Sequence, residues 1–147
     1  MKLYLIGSLR NPQVPAFATR LRSLGIEVFD DWVAAGPEAD DHWQRYEQYR
    51  GHSYTQALAG HAARHVFEYD KEHLDNCDGA VLLLPAGRSS HLELGYVIGR
   101  GKPGWIVLDD EARTSARFDV MYKFATAVFG TEEELIYELG KPKEVTQ

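Results

Sequence analysis

The fold is decided by residues 78–96, which read DGAVLLLPAGRSSHLELGY. Residues 81–84 form an unbroken apolar run that is too short for a helix and typical of a strand buried on both faces. A glycine-containing loop follows, and a helix begins at Ser89-Ser90 and runs to Gly99 or Gly101. A buried parallel strand, such a loop and a helix N-terminus together form the place where α/β proteins commonly hold a small anionic or sugar-bearing ligand.

Glu93, in the first turn of that predicted helix, has two interpretations. Ser90 and Glu93 have the spacing of a capping box, in which Ser90 caps the helix and Glu93 reaches back to the cap amide. However, Tyr96 and Val97 lie three and four residues further on and are apolar, so this stripe does not resemble a solvated face. A carboxylate above such a stripe, near amide donors, is expected to stay ionised at neutral pH and to be able to act as a nucleophile.

The composition is that of an ordinary globular chain, and its 147 residues fit one domain spanning 1–147. The net charge of −6 and the lack of any block of Lys or Arg argue against nucleic-acid polymers and anionic membranes as partners. Cys77 is the single cysteine, which excludes an internal disulfide and suits a reducing cytoplasm. Neither a secretory signal nor an apolar stretch of about 18 residues is found, so we expect a cytoplasmic protein that does not enter a membrane.

Short apolar segments predict five strands, at residues 3–6, 26–29, 81–84, 105–108 and 125–129. Helices are predicted between and after them, at residues 12–24, 66–76, 89–99, 118–124 and from Thr131 onward, whereas the polar segment 109–115 is predicted to be a loop. This alternation indicates an α/β fold with a doubly wound, five-stranded parallel sheet of the Rossmann or flavodoxin-like type.

Residues 32–64 interrupt the alternation with an aromatic and acidic insertion. We expect one or two helices here, with a break at Gly51 and a cap at Ser53. The aromatic side chains are interpreted first as packing in the core or between subunits, and second as a wall that stacks on a base or covers the site.

Three loops are expected to meet at the carboxyl edge of the sheet, where ligands bind in such folds. They are Gly7-Ser8-Leu9-Arg10 after the first strand, Asp30-Asp31-Trp32 after the second, and residues 87–93 after the third. Gly7 allows close approach of the backbone, Ser8 offers a hydroxyl, and Arg10 offers a planar fork suited to phosphate. The sequence here is neither a Walker loop nor a Gly-x-Gly-x-x-Gly dinucleotide loop.

Metal and thiol chemistry have weaker support in the sequence. His61 and His65 are four residues apart and could share one helix face, but no third ligand is suggested, so they are interpreted as surface histidines. Cys77 is interpreted as a small buried apolar residue. His91 either touches a ligand or lies exposed at the start of its helix. We predict neither a metal ion nor a cofactor.

Three segments follow the order and spacing of a known family. Residues 4–10 are similar to an opening Tyr-x-x-Gly-Ser-x-Arg, and Asp70 is similar to an aspartate on the helix before the central strand. Glu93-Leu94-Gly95 followed by Gly101-Lys102-Pro103 matches a segment that carries a catalytic glutamate. Over residues 3 to 139, apart from the divergent insertion, the chain thus resembles the nucleoside 2-deoxyribosyltransferase superfamily, including its 2′-deoxynucleoside 5′-monophosphate N-hydrolases.

The resemblance implies a small nucleotide or nucleoside as ligand and a role for each matching residue. Glu93 would attack the anomeric carbon of a 2-deoxyribosyl group, Tyr4 would orient Glu93 by a hydrogen bond, and Asp70 would assist near the sugar or protonate the leaving base. Water or a second base would then resolve the glycosyl ester. The 5′-phosphate would be held by Ser8, Arg10 and residues 88–90. The full set of implied binding residues is Gly7, Ser8, Arg10, Asp30, Trp32, Gly87, Arg88, Ser89, Ser90 and Met121.

Two family features bear on the details. Transferases of the family carry an acidic residue that reads the base six positions before the glutamate, where this chain has Gly87, so the preferred base stays open. Sites in the family are completed by a neighbouring subunit, which implies a homodimer or larger homo-oligomer in which residues 119–122, Met121 among them, reach across. The alternative function is a nucleotide-binding module with the same fold and no turnover, which Gly87 favours.

Overall fold

The computed structural model describes residues 1–115 and 118–142 and has one parallel sheet of five strands in the order β2-β1-β3-β4-β5. The strands are β1 (Lys2–Ile6), β2 (Glu27–Phe29), β3 (Gly79–Leu83), β4 (Gly104–Val107) and β5 (Ala127–Phe129). The helices are α1 (Gln13–Ser23), α2 (Ala39–Tyr49), α3 (Tyr54–Leu58), α4 (His61–Asn76), α5 (Arg88–Gly99), α6 (Asp110–Thr114) and α7 (Glu132–Leu139), with 3-10 helices at Asp31–Ala35 and Val120–Phe124. The predicted α/β fold with a five-stranded parallel sheet is confirmed.

Alternate residues of β1 enter two separate cores, one on each face of the sheet. Leu3 and Leu5 pack in the same core as Phe17 of α1. Tyr4 belongs to the opposite core, which it shares with Val97 of α5. Because successive side chains of a strand point to opposite faces, the two-residue period directs Tyr4 toward the layer formed by α4 and α5.

The strand order places a crevice at the carboxyl ends of β1 and β3. From β1 the chain moves outward to β2 and then crosses back to β3 on the other side of β1. Tyr4 is in register with Phe29 of β2, and Ile6 is in register with Leu82 of β3, so the three strands end side by side. A change of winding direction of this kind is the usual ligand site of an open α/β sheet.

Helix α5 begins one residue earlier than predicted, at Arg88, and Gly87 is its N-cap residue. The side chain of Ser90 does not cap the helix. Its hydroxyl instead donates a hydrogen bond to the carbonyl oxygen of Gly7, at 3.2 Å. Glu93 therefore lies in the second turn, and the capping-box interpretation of Glu93 is wrong.

The insertion folds into the two helices expected of it, α2 and α3. Gly51, between them, has a φ of +74°, and the Ser53 hydroxyl accepts a hydrogen bond of 3.3 Å from the backbone N–H of Gln56. The next helix, α4, starts at His61, five residues before its predicted start at 66. No helix in the described part of the chain is long and apolar enough to cross a membrane.

The prediction of a loop at 109–115 is wrong, because this segment contains the single-turn helix α6. Its start is stabilised by Asp109, whose side chain accepts a hydrogen bond of 3.0 Å from the backbone N–H of Ala112. At the other end of β4, Gly104 allows α5 to pack closely, since a Cβ there would lie 2.8 Å from side-chain carbons of Leu94 and Ile98.

Candidate active site

A cleft of about 650 Å³ lies at the carboxyl ends of β1 and β3, between the loops that follow them and helices α2, α4 and α5. It is here that the structure brings together most of the residues that the sequence singled out. Those lining the cleft are Tyr4, Gly7, Ser8, Arg10, Trp32, Asp70, Gly87, Arg88, Ser89, Ser90 and Glu93.

The innermost polar group of the cleft is the pair formed by Tyr4 and Glu93. Tyr4 is only 1% exposed, and its hydroxyl makes a side-chain hydrogen bond with the Glu93 carboxyl. Burial raises the pKa of Tyr4 above its ordinary value, and the negative charges of Glu93 and Asp70 raise that pKa further. The phenol therefore keeps its proton and donates a hydrogen bond to the Glu93 carboxyl.

Burial raises the pKa of Glu93 to about 8, and the nearby charge of Asp70 acts in the same direction. The hydrogen bond from Tyr4 opposes this rise, because it stabilises the carboxylate form. The expectation that Glu93 stays ionised at neutral pH is therefore wrong for the carboxyl as it is buried in this cleft. That expectation assumed amide donors in the first turn, but Glu93 lies in the second turn of α5, beyond the free N–H groups.

Asp70 is the second carboxyl of the cleft and is carried by α4. Burial raises the pKa of Asp70, the charge of Asp40 adds to the rise, and the charge of His73 opposes it. Two interacting carboxyls of raised pKa in one cleft disfavour the state in which both are ionised. Such a pair can divide the roles of acid and nucleophile.

An aromatic stack fixes the orientation of α4 relative to the sheet. The Phe29 ring lies 5.1 Å from that of Tyr4, and the His73 ring stacks on Phe29 at 3.8 Å. Tyr69, which lines the cleft, meets His73 edge-on at 4.9 Å. Because Asp70 lies between Tyr69 and His73 on α4, this stack also sets the position of the Asp70 carboxyl.

The loop after β1 is tightly packed against its neighbours. A Cβ at Gly7 would lie 2.8 Å from a methyl group of Val14, so only glycine fits without a shift. The Ser8 hydroxyl accepts a hydrogen bond of 3.2 Å from the backbone N–H of Arg10. On the opposite side of the strand end, the indole N–H of Trp32 donates to the carbonyl oxygen of Leu5 at 2.8 Å.

The insertion contributes a wall of the cleft that sequence reasoning did not identify residue by residue. The Arg10 guanidinium donates to the Asp41 carboxylate at 2.8 Å, which joins the β1 loop to α2. Further lining residues from this side and from α4 include Asp40, Gln44, His65, Val66 and Tyr69. Trp32 also lines the cleft, whereas the tyrosines of α2 and α3 are exposed outside it. The second interpretation of 32–64, as a wall of the site, therefore fits its acidic residues and Trp32 but not those tyrosines.

Two predicted binding residues lie outside the cleft. Asp30 is buried and forms an ion pair with Arg22, which also donates to the carbonyl oxygen of Val28 at 3.0 Å, so Asp30 holds α1 against the end of β2. Met121 is 58% exposed on the 3-10 helix Val120–Phe124. Its expected role across a subunit contact stays a prediction.

The remaining candidates take structural positions. His91 is directed away from the cleft and contacts Tyr122. Cys77 is buried, as expected, with its thiol donating to the carbonyl oxygen of Leu74 at 3.1 Å. His61 and His65 are both exposed, and His65 lies on the cleft wall. Within residues 1–115 and 118–142, no group of three His, Cys, Asp or Glu side chains is arranged to hold a metal ion.

Comparison with known proteins gives matches only among solved structures. No protein-family model matches the chain, and no curated protein matches it significantly. A conserved protein from Enterococcus faecalis V583 superposes with a TM-score of 0.64 at 16% identity, covering 95% of this chain and 96% of that one. The 2-deoxyribosyltransferase from Bacillus psychrosaccharolyticus gives a TM-score of 0.59 at 20% identity, covering 92% and 90%.

A third structure, the CMP N-glycosidase from Clostridium botulinum, gives a TM-score of 0.56 at 12% identity, covering 96% of this chain and all (100%) of that one. Two of these three structures are therefore enzymes, a 2-deoxyribosyltransferase and a CMP N-glycosidase. At these identities the likeness shows a shared fold and nothing finer. The resemblance drawn from the sequence is therefore confirmed for the fold.

Proposed function

We propose that this protein cleaves the N-glycosidic bond of 2′-deoxynucleosides or 2′-deoxynucleotides, with Glu93 as the nucleophile. One observation carries the proposal: a glutamate hydrogen-bonded to a buried tyrosine interacts with a second carboxyl, Asp70, in a cleft at the carboxyl edge of the sheet. The shared fold with a 2-deoxyribosyltransferase and a CMP N-glycosidase supports the reaction class.

The first step forms a glycosyl ester. A carboxylate oxygen of Glu93 attacks C1′, and the bond from C1′ to the base nitrogen breaks with its electron pair leaving on the base. Asp70 gives its proton to the departing base. A missing 2′-hydroxyl makes the oxocarbenium-like transition state easier to reach, and two carboxyls divide the work as in retaining glycosidases.

The second step releases the sugar and restores the site. A water molecule attacks C1′ and gives a proton to Asp70. The ester bond breaks, and Glu93 leaves as a carboxylate. A second base in place of water would give transfer instead of hydrolysis. Before the first step the pair needs one proton, on Asp70, with Glu93 ionised; that proton leaves with the base and is replaced by one from water in the second step. The hydrogen bond from Tyr4 favours that distribution, because it stabilises the Glu93 carboxylate.

The other contacts of the ligand come from the cleft wall. Gly7, Ser8, Arg10 and the start of α5 surround the place for the 5′ end of the sugar, while Trp32 and Tyr69 offer rings for the base. We further propose that the protein acts in the cytoplasm as a homodimer or larger homo-oligomer. The 3-10 helix Val120–Phe124 supports such a contact, because it exposes Val120, Met121 and Phe124.

A second candidate function is a nucleotide-binding module without turnover. The observation that favours it is the burial of Glu93 beside Asp70, which raises the pKa of Glu93 to about 8 and so disfavours the carboxylate, the nucleophilic form, at neutral pH. Gly87 also favours the binding module, because it stands where the transferases of the family carry an acidic residue that reads the base.

Base release separates the two candidates. The wild-type protein is incubated with the four 2′-deoxynucleosides, their 5′-monophosphates and the corresponding ribonucleotides, and free base is followed by chromatography. We expect release from deoxy compounds, and its loss in Glu93→Gln. Glu72→Gln is the matched control, since Glu72 is exposed on α4 and lies outside the cleft. No release from any compound by the wild type would support the binding module, and full activity in Glu93→Gln would reject the nucleophile.

A further inference from the structure

The Arg10 guanidinium, the group best suited to a 5′-phosphate, is already paired within the chain. Asp41 of α2 accepts a hydrogen bond from it at 2.8 Å. The pair is solvent-accessible, with 68% of the Arg10 side chain and 36% of the Asp41 side chain exposed, so a ligand in the cleft can reach both partners. Any phosphate that used Arg10 would therefore compete with Asp41.

The charges around the cleft also disfavour a dianionic ligand. Among the residues that the structure describes, four carboxyls line the cleft, from Asp40, Asp41, Asp70 and Glu93. Two guanidinium groups oppose them, those of Arg10 and Arg88. A phosphate monoester carries a charge of about −1.5 to −2 at neutral pH and would meet as like charges those carboxyls that are ionised, among them Asp41 in its ion pair with Arg10.

A third feature concerns the hydrogen-bond donors near Arg10. The Ser90 hydroxyl donates to the carbonyl oxygen of Gly7 at 3.2 Å, so its proton is used inside the protein. The Ser8 oxygen accepts from the backbone N–H of Arg10, which turns that N–H away from a ligand. Two groups that could donate to a phosphate, the Ser90 hydroxyl and the Arg10 N–H, thus already have acceptors in the chain.

We propose that the cleft selects 2′-deoxynucleosides over their 5′-monophosphates, and that Asp41 is the residue that determines this selection. The inference rests on the proposed function and narrows its substrate class. A free 5′-hydroxyl suits the Arg10–Asp41 pair, because it can donate to the carboxylate of Asp41 and accept from the guanidinium of Arg10 without breaking the pair. Asp41 acts by excluding the charged substrate and takes no part in bond cleavage.

The test compares kcat/KM for each deoxynucleoside with kcat/KM for its own 5′-monophosphate. For the wild type we expect the nucleoside to be preferred by about tenfold or more, the effect of one like-charge contact. Asp41→Asn is expected to reduce the preference by about tenfold, through a lower KM for the monophosphate and a higher KM for the nucleoside, whose 5′-hydroxyl loses a charged acceptor. Asp31→Asn is the matched control, since Asp31 is exposed next to the cleft without lining it.

Two further measurements keep the inference testable if one arm fails. Added salt screens the repulsion between the phosphate and the carboxylates of the cleft. In the wild type, the preference for the nucleoside is therefore expected to be smaller at high than at low ionic strength. Calorimetric titration of Glu93→Gln with each deoxynucleoside and each monophosphate reports the same preference by binding alone. A wild type that prefers the monophosphate overturns the inference and leaves the proposed function standing. If no base is released but the nucleosides bind more tightly than their monophosphates, the proposed function is overturned and the selection stands.

Discussion

The imidazole Nε2 of His91 lies 2.9 Å from the hydroxyl of Tyr122, and the two rings stack with their centres 5.7 Å apart. The other ring nitrogen, Nδ1, lies 2.7 Å from the carbonyl oxygen of Gly87, which can only accept. Nδ1 therefore carries the proton in the neutral ring, and Tyr122 donates to Nε2. Burial raises the pKa of Tyr122, so the phenol keeps the proton that this arrangement needs. The contact joins the 3-10 helix Val120–Phe124 to the first turn of α5.

Tyr122→Phe removes the hydroxyl of this contact and keeps the ring. We expect a loss of about 0.5–1.5 kcal/mol in the free energy of unfolding, the usual contribution of one such hydrogen bond. Amide protons of residues 120–124 are expected to exchange faster than in the wild type. Urea unfolding and hydrogen exchange measure the two effects. Tyr49→Phe, at a ring that is 91% exposed, is the control and is expected to change neither.

The protonation of Glu93 can be measured directly. In protein labelled with ¹³C at the glutamate carboxyl carbons, one resonance is expected to titrate with a midpoint at about pH 8, because burial and the charge of Asp70 raise the pKa of Glu93 to about 8. The same resonance should be missing from spectra of Glu93→Gln, which assigns it. If every glutamate in the wild type titrated near its ordinary range, the burial of this carboxyl would be wrong.

Tyr4→Phe tests the hydrogen bond that opposes this rise. The phenol stabilises the Glu93 carboxylate, so its removal is expected to move the ¹³C midpoint of Glu93 to higher pH. Base release at pH 7 should then decrease, since a smaller fraction of Glu93 is ionised. Phe keeps the packing of Tyr4 against Phe29, so the fold should persist, as circular dichroism can verify. An unchanged midpoint would mean that the phenol does not bind Glu93.

Much of this site follows from local sequence patterns. The apolar runs predicted the strands, and the rule that parallel strands end at one edge brought Tyr4, Ser8 and Gly87 together in the expected crevice. Glu93 was identified from its own stretch and from the family resemblance, and Tyr4 and Asp70 from the resemblance alone; the structure places all three in the cleft. That they share one edge of the sheet follows from the strand order and the two-residue period of a strand.

The features that sequence reasoning missed depend on contacts between distant residues. Arg10 and Asp41 are 31 positions apart, and no local pattern pairs the β1 loop with the insertion. Ser90 matched a cap by spacing, but its tertiary bond to Gly7 overrides the local preference. The pKa of Glu93 depends on how α4 and α5 pack over the carboxyl, which the composition of α5 does not reveal.

Gly7→Ala tests the packing of the loop after β1. The new Cβ would lie 2.8 Å from Val14, a clash that we expect to lower the free energy of unfolding by about 1–3 kcal/mol. The shift would also move the carbonyl oxygen that accepts from Ser90, so deoxynucleosides should bind more weakly. Gly87→Ala is the control for packing, because a Cβ at Gly87 meets nothing within 4 Å and only the smaller cost of alanine in place of glycine at the N-cap is expected. Equal stability of the two variants in urea would contradict the close packing.

The raised pKa of Glu93 also predicts how stability depends on pH. A carboxyl whose pKa is about 8 when folded and near 4.5 when unfolded binds its proton more tightly in the folded state. Its contribution to stability is therefore fully present below about pH 4.5 and is lost as the pH rises through about 8. Glu93→Gln has no such proton, so it does not lose this contribution. As the pH rises from 5 to 8.5, its free energy of unfolding is expected to increase relative to that of the wild type, by a few kcal/mol at most. Urea titrations of both proteins at the two pH values measure the gain, and Glu72→Gln, exposed on α4, should show none. A Glu93→Gln variant that lost stability relative to the wild type over this interval would mean that the folded protein prefers the ionised carboxylate, contrary to its burial beside Asp70.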